Sequence, residues 1–338
     1  MLFLEGASMM PKILVASLVL LSMTTFPVAA QAPPALKQQA ERGNAHAQFL
    51  LGNAYEAGHG VPKDEVLALG WYKKAAEQGF VAAQSRLGDV YRFGWGVSKD
   101  EALAIRWYKK AAEQGFAEAQ WSLGDIYHFG WGVPQDEALA IRWYKKAADQ
   151  GGSLAAKELI DIYESRGDDS NAAIWKLTLA KQGDAEQQLE MGIWYGMGRG
   201  VPQDDFEAAR WIGKSAAQGN AMAQDSLGHL YSAGQGVPQN HVQAVFWFRK
   251  AADQLNPDAL LYLGLSYYVG AGVPQDYAEA YFWLDIAIAT GKLDGKDNIE
   301  AIKRRSEVES ELSQTDLVTI QARAREWFKK HAVGVAAK

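Results

Sequence analysis

The sequence predicts an all-α protein built from tandem helix–loop–helix units, and three observations carry this. Tryptophan keeps a beat: Trp71, Trp107, Trp143, Trp175, Trp211, Trp247 and Trp283 stand 36, 36, 32, 36, 36 and 36 residues apart. Leu51-Gly52, Leu87-Gly88, Leu123-Gly124, Met191-Gly192, Leu227-Gly228 and Leu263-Gly264 keep the same period. Each of these glycines is followed three residues later by a tyrosine: Tyr55, Tyr91, Tyr127, Tyr195, Tyr231 and Tyr267. Between the two signals stands a loop such as Gly58-His59-Gly60-Val61-Pro62, whose paired glycines and proline break a helix. Self-similarity at a period of this size belongs to repeat architectures, so a chain of 338 residues need not be divided into ordinary domains.

Residues 1–30 do not share the pattern. Met10-Pro11-Lys12 opens a short basic region, Ile13 to Leu21 is apolar and uncharged, and Val28-Ala29-Ala30 offers small residues to a signal peptidase. The apolar run is shorter than the roughly 20 residues a spanning helix needs. A secretory signal peptide cleaved after Ala30 is expected, leaving a periplasmic or secreted protein with no stable membrane insertion. Glu5 fits such a leader poorly, so Met9 and Met10 compete with Met1 as the start. Residues 31–42 form a lead-in.

The units are expected to begin at residues 43, 79, 115, 151, 183, 219 and 255, and the array to end at 291. In the first unit a helix over Asn44–Ala57 sets Ala47, Leu51 and Tyr55 on one face. Gly52 inside that helix costs about 1 kcal/mol relative to alanine. Its recurrence therefore points to close approach of a neighbouring helix. Asp64 is placed to cap the second helix by accepting from its free amides. Asp100, Asp136, Asp204 and Asp276 repeat that role, and Asn240 replaces it once. The second helix is expected to turn Leu67, Trp71 and Ala75 onto one stripe and to end at Gly79.

These residues resemble the Sel1-like repeat family, a relative of the tetratricopeptide repeats. The third unit shows the motif: Ala119-Gln120, Leu123-Gly124, Tyr127, Gly130-x-Gly132-Val133-Pro134-x-Asp136, Trp143-Tyr144-x-Lys146-Ala147-Ala148 and Gln150-Gly151. The resemblance implies a right-handed α-solenoid of about seven repeats and an adaptor role in protein complexes, including envelope regulation, exopolysaccharide export or host interaction in bacteria. The unit at 151–183 departs from the pattern: it is four residues short, has Ser165-Arg166-Gly167-Asp168-Asp169-Ser170 for its loop, and carries Ile160 in place of the helix glycine. The superhelix is expected to change curvature or flex there. After Gly291 the period stops. Residues 298–312 and 316–331 read as two charged amphipathic helices, the second capped by Ser313. A terminal unit must be polar outside, so residues 292–338 are assigned to a C-terminal cap and tail.

A net charge of −6 lacks the basic footprint of nucleic-acid binding. With no cysteine there is no disulfide, thiolate metal site or lipoprotein anchor. Six GxG loops precede helices, yet no strand precedes them and no third glycine follows at the fingerprint spacing. HExxH, GxSxG and SxxK are all missing, and the six histidines show no close metal-ligand spacing. No cofactor, metal or catalytic residue is assigned, and the protein is read as a non-catalytic scaffold for a protein partner. The competing readings are a secreted factor that engages host proteins and an envelope hydrolase. Some relatives are linked to β-lactam hydrolysis, but those are cysteine-rich.

By analogy with tetratricopeptide repeats, the first helix of each unit lines a concave groove. Ser85, Asp89 and Arg92, then Trp121, Asp125 and His128, would face it, followed by the more apolar Leu189, Ile193, Leu261, Leu265 and Tyr268. Asp89, Asp125 and Asp161 share one position in three successive units. Two readings stand: a carboxylate ladder for a basic peptide, or a row of solvated charges. Trp95 and Trp131 sit between loop glycines where other units have His59, Arg199, Gln235 and Ala271, with Phe93 and Phe129 two residues earlier. Here too two readings stand: an exposed aromatic rim that binds a partner, or rings packed on a neighbouring loop.

Overall fold

The computed structural model describes residues 34–336, with side chains to residue 332. The leader assigned to residues 1–30 lies outside the described residues, as do residues 31–33 of the lead-in. Helix α1 covers Pro34–Glu41. Seven hairpins follow: α2 (Ala45–Ala57) with α3 (Glu65–Glu77), α4 (Val81–Phe93) with α5 (Glu101–Glu113), α6 (Ala117–Phe129) with α7 (Glu137–Ala148), α8 (Ser153–Ser165) with α9 (Asp169–Gln182), α10 (Ala185–Met197) with α11 (Asp205–Ala217), α12 (Ala221–Ala233) with α13 (His241–Ala252), and α14 (Pro257–Val269) with α15 (Tyr277–Ala289). The chain closes with α16 (Gly295–Glu309) and α17 (Gln314–Ala336). The described residues hold no strand. Repeated helical hairpins of this kind define the all-α class of repeat solenoids. The chain forms two compact units, one ending at Lys110 and the other beginning at Ala111.

The capping chemistry explains where the second helices begin. Asp64 Oδ1 accepts from the Leu67 amide at 2.8 Å, and Asp100, Asp136, Asp204 and Asp276 each bond the amide three residues on. Asn240 does the same for Gln243. The first helices end where glycine turns left-handed: Gly198 adopts φ 67° and donates to the Trp194 carbonyl. Within the second unit, the second glycine of the loop lies so close to the start of the preceding hairpin's second helix that a Cβ would strike it. Gly200 meets Asp169, Gly236 meets Asp205 and Gly272 meets His241. In the first unit Gly96 meets Glu65 in the same way.

The buried face of α3 differs from the expected stripe. Ala68, Leu69, Tyr72, Ala75 and Ala76 are buried, whereas Leu67 is exposed and Trp71 is half-buried. After six of the seven periodic tryptophans the next residue is the deeper one, the exception being Trp211, 2% exposed against 5% for Ile212. Tyr72, Tyr108 and Tyr144 are each 0% exposed. Their rings fill the space over the recurrent helix glycines: a Cβ on Gly52 or Gly88 would come within 2.5 Å of the Tyr72 or Tyr108 ring. The close approach expected at Gly52 is thus made by an aromatic side chain of the same hairpin. Trp71, Trp107, Trp143 and Trp247 are half-buried, each covered by the lysine three residues on, as where Lys146 Nζ stands 4.5 Å from the Trp143 ring, whereas Trp211 is buried beneath Lys214 Nζ at 3.9 Å.

Successive hairpins are joined by a buried glutamine relay. The Nε2 groups of Gln48 and Gln84 donate to the Ala40 and Ala76 carbonyls in the first unit, and those of Gln120, Gln188 and Gln224 to the Ala112, Ala180 and Ala216 carbonyls in the second. Four of their Oε1 atoms accept from a glutamine 30 residues later, Gln78 to Gln48, Gln150 to Gln120, Gln218 to Gln188 and Gln254 to Gln224. The side-chain amides of Gln48, Gln120, Gln188 and Gln224 are thereby satisfied on both ends, which is the condition for placing them in a core.

The fourth hairpin rewires this scheme. Lys176 takes the tyrosine position and Ile160 the glycine position. Lys176 is 4% exposed, its Nζ lying 3.2 Å from Glu164 and 3.4 Å from Glu190 and 5.0 Å from the Trp194 ring. At the C-terminal end Trp327 of α17 meets Trp283 edge-on at 5.3 Å, and Arg323 lies 3.9 Å over Phe282. The Asp316 amide donates to Ser313 Oγ at 3.2 Å, which starts α17.

Candidate functional site

The three carboxylates that share a position do not share an environment. Asp125 is 4% exposed, and Tyr144 Oη donates to its Oδ1 at 2.8 Å. Asp89 takes the Tyr108 hydroxyl at 2.7 Å and lies 3.4 Å from Arg86. Burial pushes the Asp89 carboxyl above its ordinary value, outweighing the hydroxyl and the guanidinium that hold it down. Asp161, in the hairpin that lacks the tyrosine, is exposed. The equivalent residue in the first hairpin is Asn53, which accepts from Tyr72 Oη at 2.9 Å. The position therefore serves, in three hairpins, as the acceptor for a tyrosine buried over the helix glycine.

This has a measurable consequence. Tyr144→Phe is expected to cost about 1.5–3 kcal/mol, because a buried carboxylate loses a donor that solvent cannot replace. Asp161→Asn is expected to stay within about 0.5 kcal/mol of the parent. Urea denaturation of the two variants checks both, and equal effects would return Asp125 to the status of a surface charge.

The loop aromatics form two pairs, one in each compact unit. Phe93 and Trp95 stack with centroids 5.1 Å apart and planes 25° apart, and Phe129 and Trp131 repeat this at 4.8 Å and 26°. Phe93 is 45% exposed and Phe129 53%, while both tryptophans are half-buried. Arg86 stands 5.2 Å from the Trp95 ring and is held by Glu56 at 2.8 Å, so Trp95 is braced from its own hairpin. In other repeats the same slot bonds the preceding hairpin through a polar side chain, as in Arg199 to Asp169 at 2.8 Å and Gln235 to Asp205 at 3.1 Å. In the repeats of Trp95 and Trp131 an indole stands in that slot and stacks on the phenylalanine two residues earlier. Met197 and Val269, the counterparts of Phe93 and Phe129, are 71% and 62% exposed.

Trp121 is half-buried, with its indole Nε1 enclosed and without an acceptor. Trp194 is 2% exposed and belongs to the core. Among the described residues, no group of three or more His, Asp or Glu side chains is arranged to hold a metal ion, and no helix is long and apolar enough to cross a membrane.

The hairpins and their motifs belong to a known class. The chain is a member of the Sel1 repeat family, which matches residues 45–80, 81–116, 117–152, 186–220, 221–254 and 257–291. Repeats of this family act generally as protein-interaction scaffolds, typically without catalysis. The matches skip the fourth hairpin, where Lys176 and Ile160 replace the tyrosine and glycine.

Two solved structures are similar. One is c5321, described as a protective antigen of uropathogenic Escherichia coli with an SLR fold; it is 32% identical with a TM-score of 0.56 over 89% of this chain. The chain spans about 64% of that protein's length. The other is a Sel1 repeat protein from Oxalobacter formigenes, 34% identical with a TM-score of 0.51, covering 79% of each chain. No curated protein sequence matches the chain.

Proposed function

We propose that the protein is an exported, non-catalytic scaffold that holds a protein partner through the faces of its first helices and the aromatic pairs of its loops. The observation that carries this is the pair of stacked, partly exposed ring systems, Phe93–Trp95 and Phe129–Trp131, at a slot the fold fills elsewhere with histidine, arginine, glutamine or alanine. Rigid aromatic surface of this kind supplies binding energy at little entropic cost and is enriched at hot spots. Export rests on the leader at residues 1–30, with its basic start, apolar run and small residues at the cut. Asp89 and Asp125 contribute by fixing the helix face, and Asp161 and Trp121 by lying on it.

A second reading has one observation in its favour. The Escherichia coli protein that shares 32% identity is described as a protective antigen, so a secreted factor that meets host proteins fits the same architecture. The identity of the captured partner, envelope or host, separates the two.

The test uses the mature protein carrying Trp95→Ala and Trp131→Ala together, in crosslinking and pull-down from the native envelope. The partner is expected to be lost while stability falls by about 1 kcal/mol or less, as for surface substitutions that leave no buried gap. A large drop in melting temperature with the partner retained would mean that the rings are structural.

A further inference from the structure

The last hairpin and α16 build a concave site that the repeat does not require. A cavity of about 230 Å3 is lined by Tyr268, Tyr277, Glu307, Val308, Ser310 and Glu311. Both tyrosines are peculiar to this hairpin. At the position of Tyr268 the other hairpins with the GxG loop have Glu56, Arg92, His128, Gly196 and Ser232, and at that of Tyr277 they have Glu65, Glu101, Glu137, Asp205 and His241. Five hairpins fold without a tyrosine at either place, so packing of the repeat does not explain these two.

The walls are set by their own hydrogen bonds. The ring centroids are 6.1 Å apart with planes inclined by 36°. Tyr268 Oη donates to Glu307 Oε2 at 3.0 Å, and Gln275 Nε2 donates to Tyr277 Oη at 3.2 Å. Val308 is 0% exposed and forms an apolar floor. The Tyr268 hydroxyl and the Arg304 guanidinium hold the Glu307 carboxyl below its usual range, so it is charged at neutral pH. Arg304 lies 5.2 Å from the Tyr268 ring and its Nη1 pairs with Glu307 Oε2 at 2.9 Å, so the chain's own guanidinium takes that face, and the Tyr277 ring and Glu311 are left to meet an entering cation. Glu311 adds an exposed carboxylate to the lining.

A cavity of this size is below the roughly 300 Å3 at which small-molecule pockets begin, and it suits one inserted side chain. Tyrosine faces attract cations. Carboxylates add a demand for N–H donors, which a primary ammonium meets and a quaternary one does not. The apolar floor fits a methylene stem. We propose that this pocket receives the ε-ammonium of a lysine side chain presented by a protein partner.

The proposal uses none of the loop aromatics, and its test needs no partner, so it stands or falls separately from the scaffold reading. The mature chain is titrated with N-acetyl-lysine N-methylamide, with the norleucine analogue and with choline, following the amide resonances of Val308, Ser310 and Glu311. Saturable shifts are expected with the lysine probe in the millimolar range, and binding at least about tenfold weaker for the other two, the equivalent of one exposed cation–π contact with a charge pair. Tyr268→Ser with Tyr277→His, which are the residues of the preceding hairpin and so suit the fold, is expected to abolish the response without changing the circular dichroism spectrum. Glu311→Gln is expected to weaken binding at least about threefold. Equal binding of norleucine or choline, no response to the lysine probe, or full retention in the tyrosine variant overturns the proposal.

Discussion

Adding a methyl group at Gly228 is expected to destabilise the native protein and to stabilise a variant that lacks Phe248. The Phe248 ring is 2% exposed and lies over the glycine, where a Cβ would stand 2.6 Å from Cδ1 and Cε1. Gly228→Ala therefore overpacks the hairpin, at a cost of about 1–3 kcal/mol. Phe248→Ala removes a buried ring and is expected to cost about 3–5 kcal/mol. In the double variant the clash is gone and only helix propensity remains, which favours alanine over glycine by about 1 kcal/mol. The effect of the same substitution changes sign between the two backgrounds. A double-mutant cycle from urea midpoints measures it, and additive effects would show that the glycine is kept for some reason other than the ring.

That pairing is legible in the sequence only when the glycine is taken together with its partner in the second helix. Residues 19 apart vary together along the chain: Asn53 with Tyr72, Asp89 with Tyr108 and Asp125 with Tyr144, then Ile193 with Ile212, His229 with Phe248 and Leu265 with Leu284. A hydroxyl in the second helix goes with an acceptor in the first. Where a full-length unit lacks the hydroxyl, it lacks the acidic or amide acceptor too. The supposed carboxylate ladder is half of this correlation. It resembles a surface feature because an aspartate in an amphipathic helix is usually solvated, and a hydrogen bond from a buried phenol helps to make its burial tolerable.

Other features are legible because they are local. An N-cap needs only an acceptor three residues before a free amide, so Asp64, Asp136 and Asn240 can be placed from spacing alone. The buried stripe of the second helix lies one residue away from the periodic tryptophan, since tryptophan recurs more visibly than the tyrosine beside it. Trp143 lies nearer the surface under Lys146, while Tyr144 fills the core. The glutamine relay is hidden for the opposite reason. Gln120 and Gln150 stand in the motif, but their bond spans 30 residues, and the bond that ties one hairpin to the next runs from Gln120 to a backbone carbonyl, that of Ala112, which no side-chain pattern marks. The lysine pocket depends on α16, which lies beyond the repeat and has no counterpart within it to compare.

Stability is expected to depend on pH through Asp225, and Asp225→Asn should remove that dependence. Asp225 lies on α12, with Oδ2 3.7 Å from His229 Nε2 and with Oδ1 enclosed and without a hydrogen-bond partner. Burial, reinforced by the negative charge of Asp258, raises its carboxyl from 3.8 to about 7. The folded protein thus binds this proton more tightly than the unfolded chain does. The resulting stabilisation is complete below the unfolded value near pH 4 and is lost as pH rises through about 7. With the side chain partly open to water, the loss at pH 8 relative to pH 4 is roughly 2–4 kcal/mol. His229 works the other way: burial lowers its value, so its contribution is present above the ordinary histidine range and declines on acidification. The two must be separated by the variant rather than by the pH profile of the parent alone. The asparagine side chain keeps the shape and carries no charge, so the variant should be more stable than the parent at pH 8 and nearly equal to it at pH 5. Thermal denaturation of both proteins across this range decides the matter. A difference that stays constant from pH 5 to pH 8 would show that the Asp225 carboxylate is ionised at no cost, and that the cluster formed with Asp258 and Tyr262 holds water or a counter-ion that relieves it.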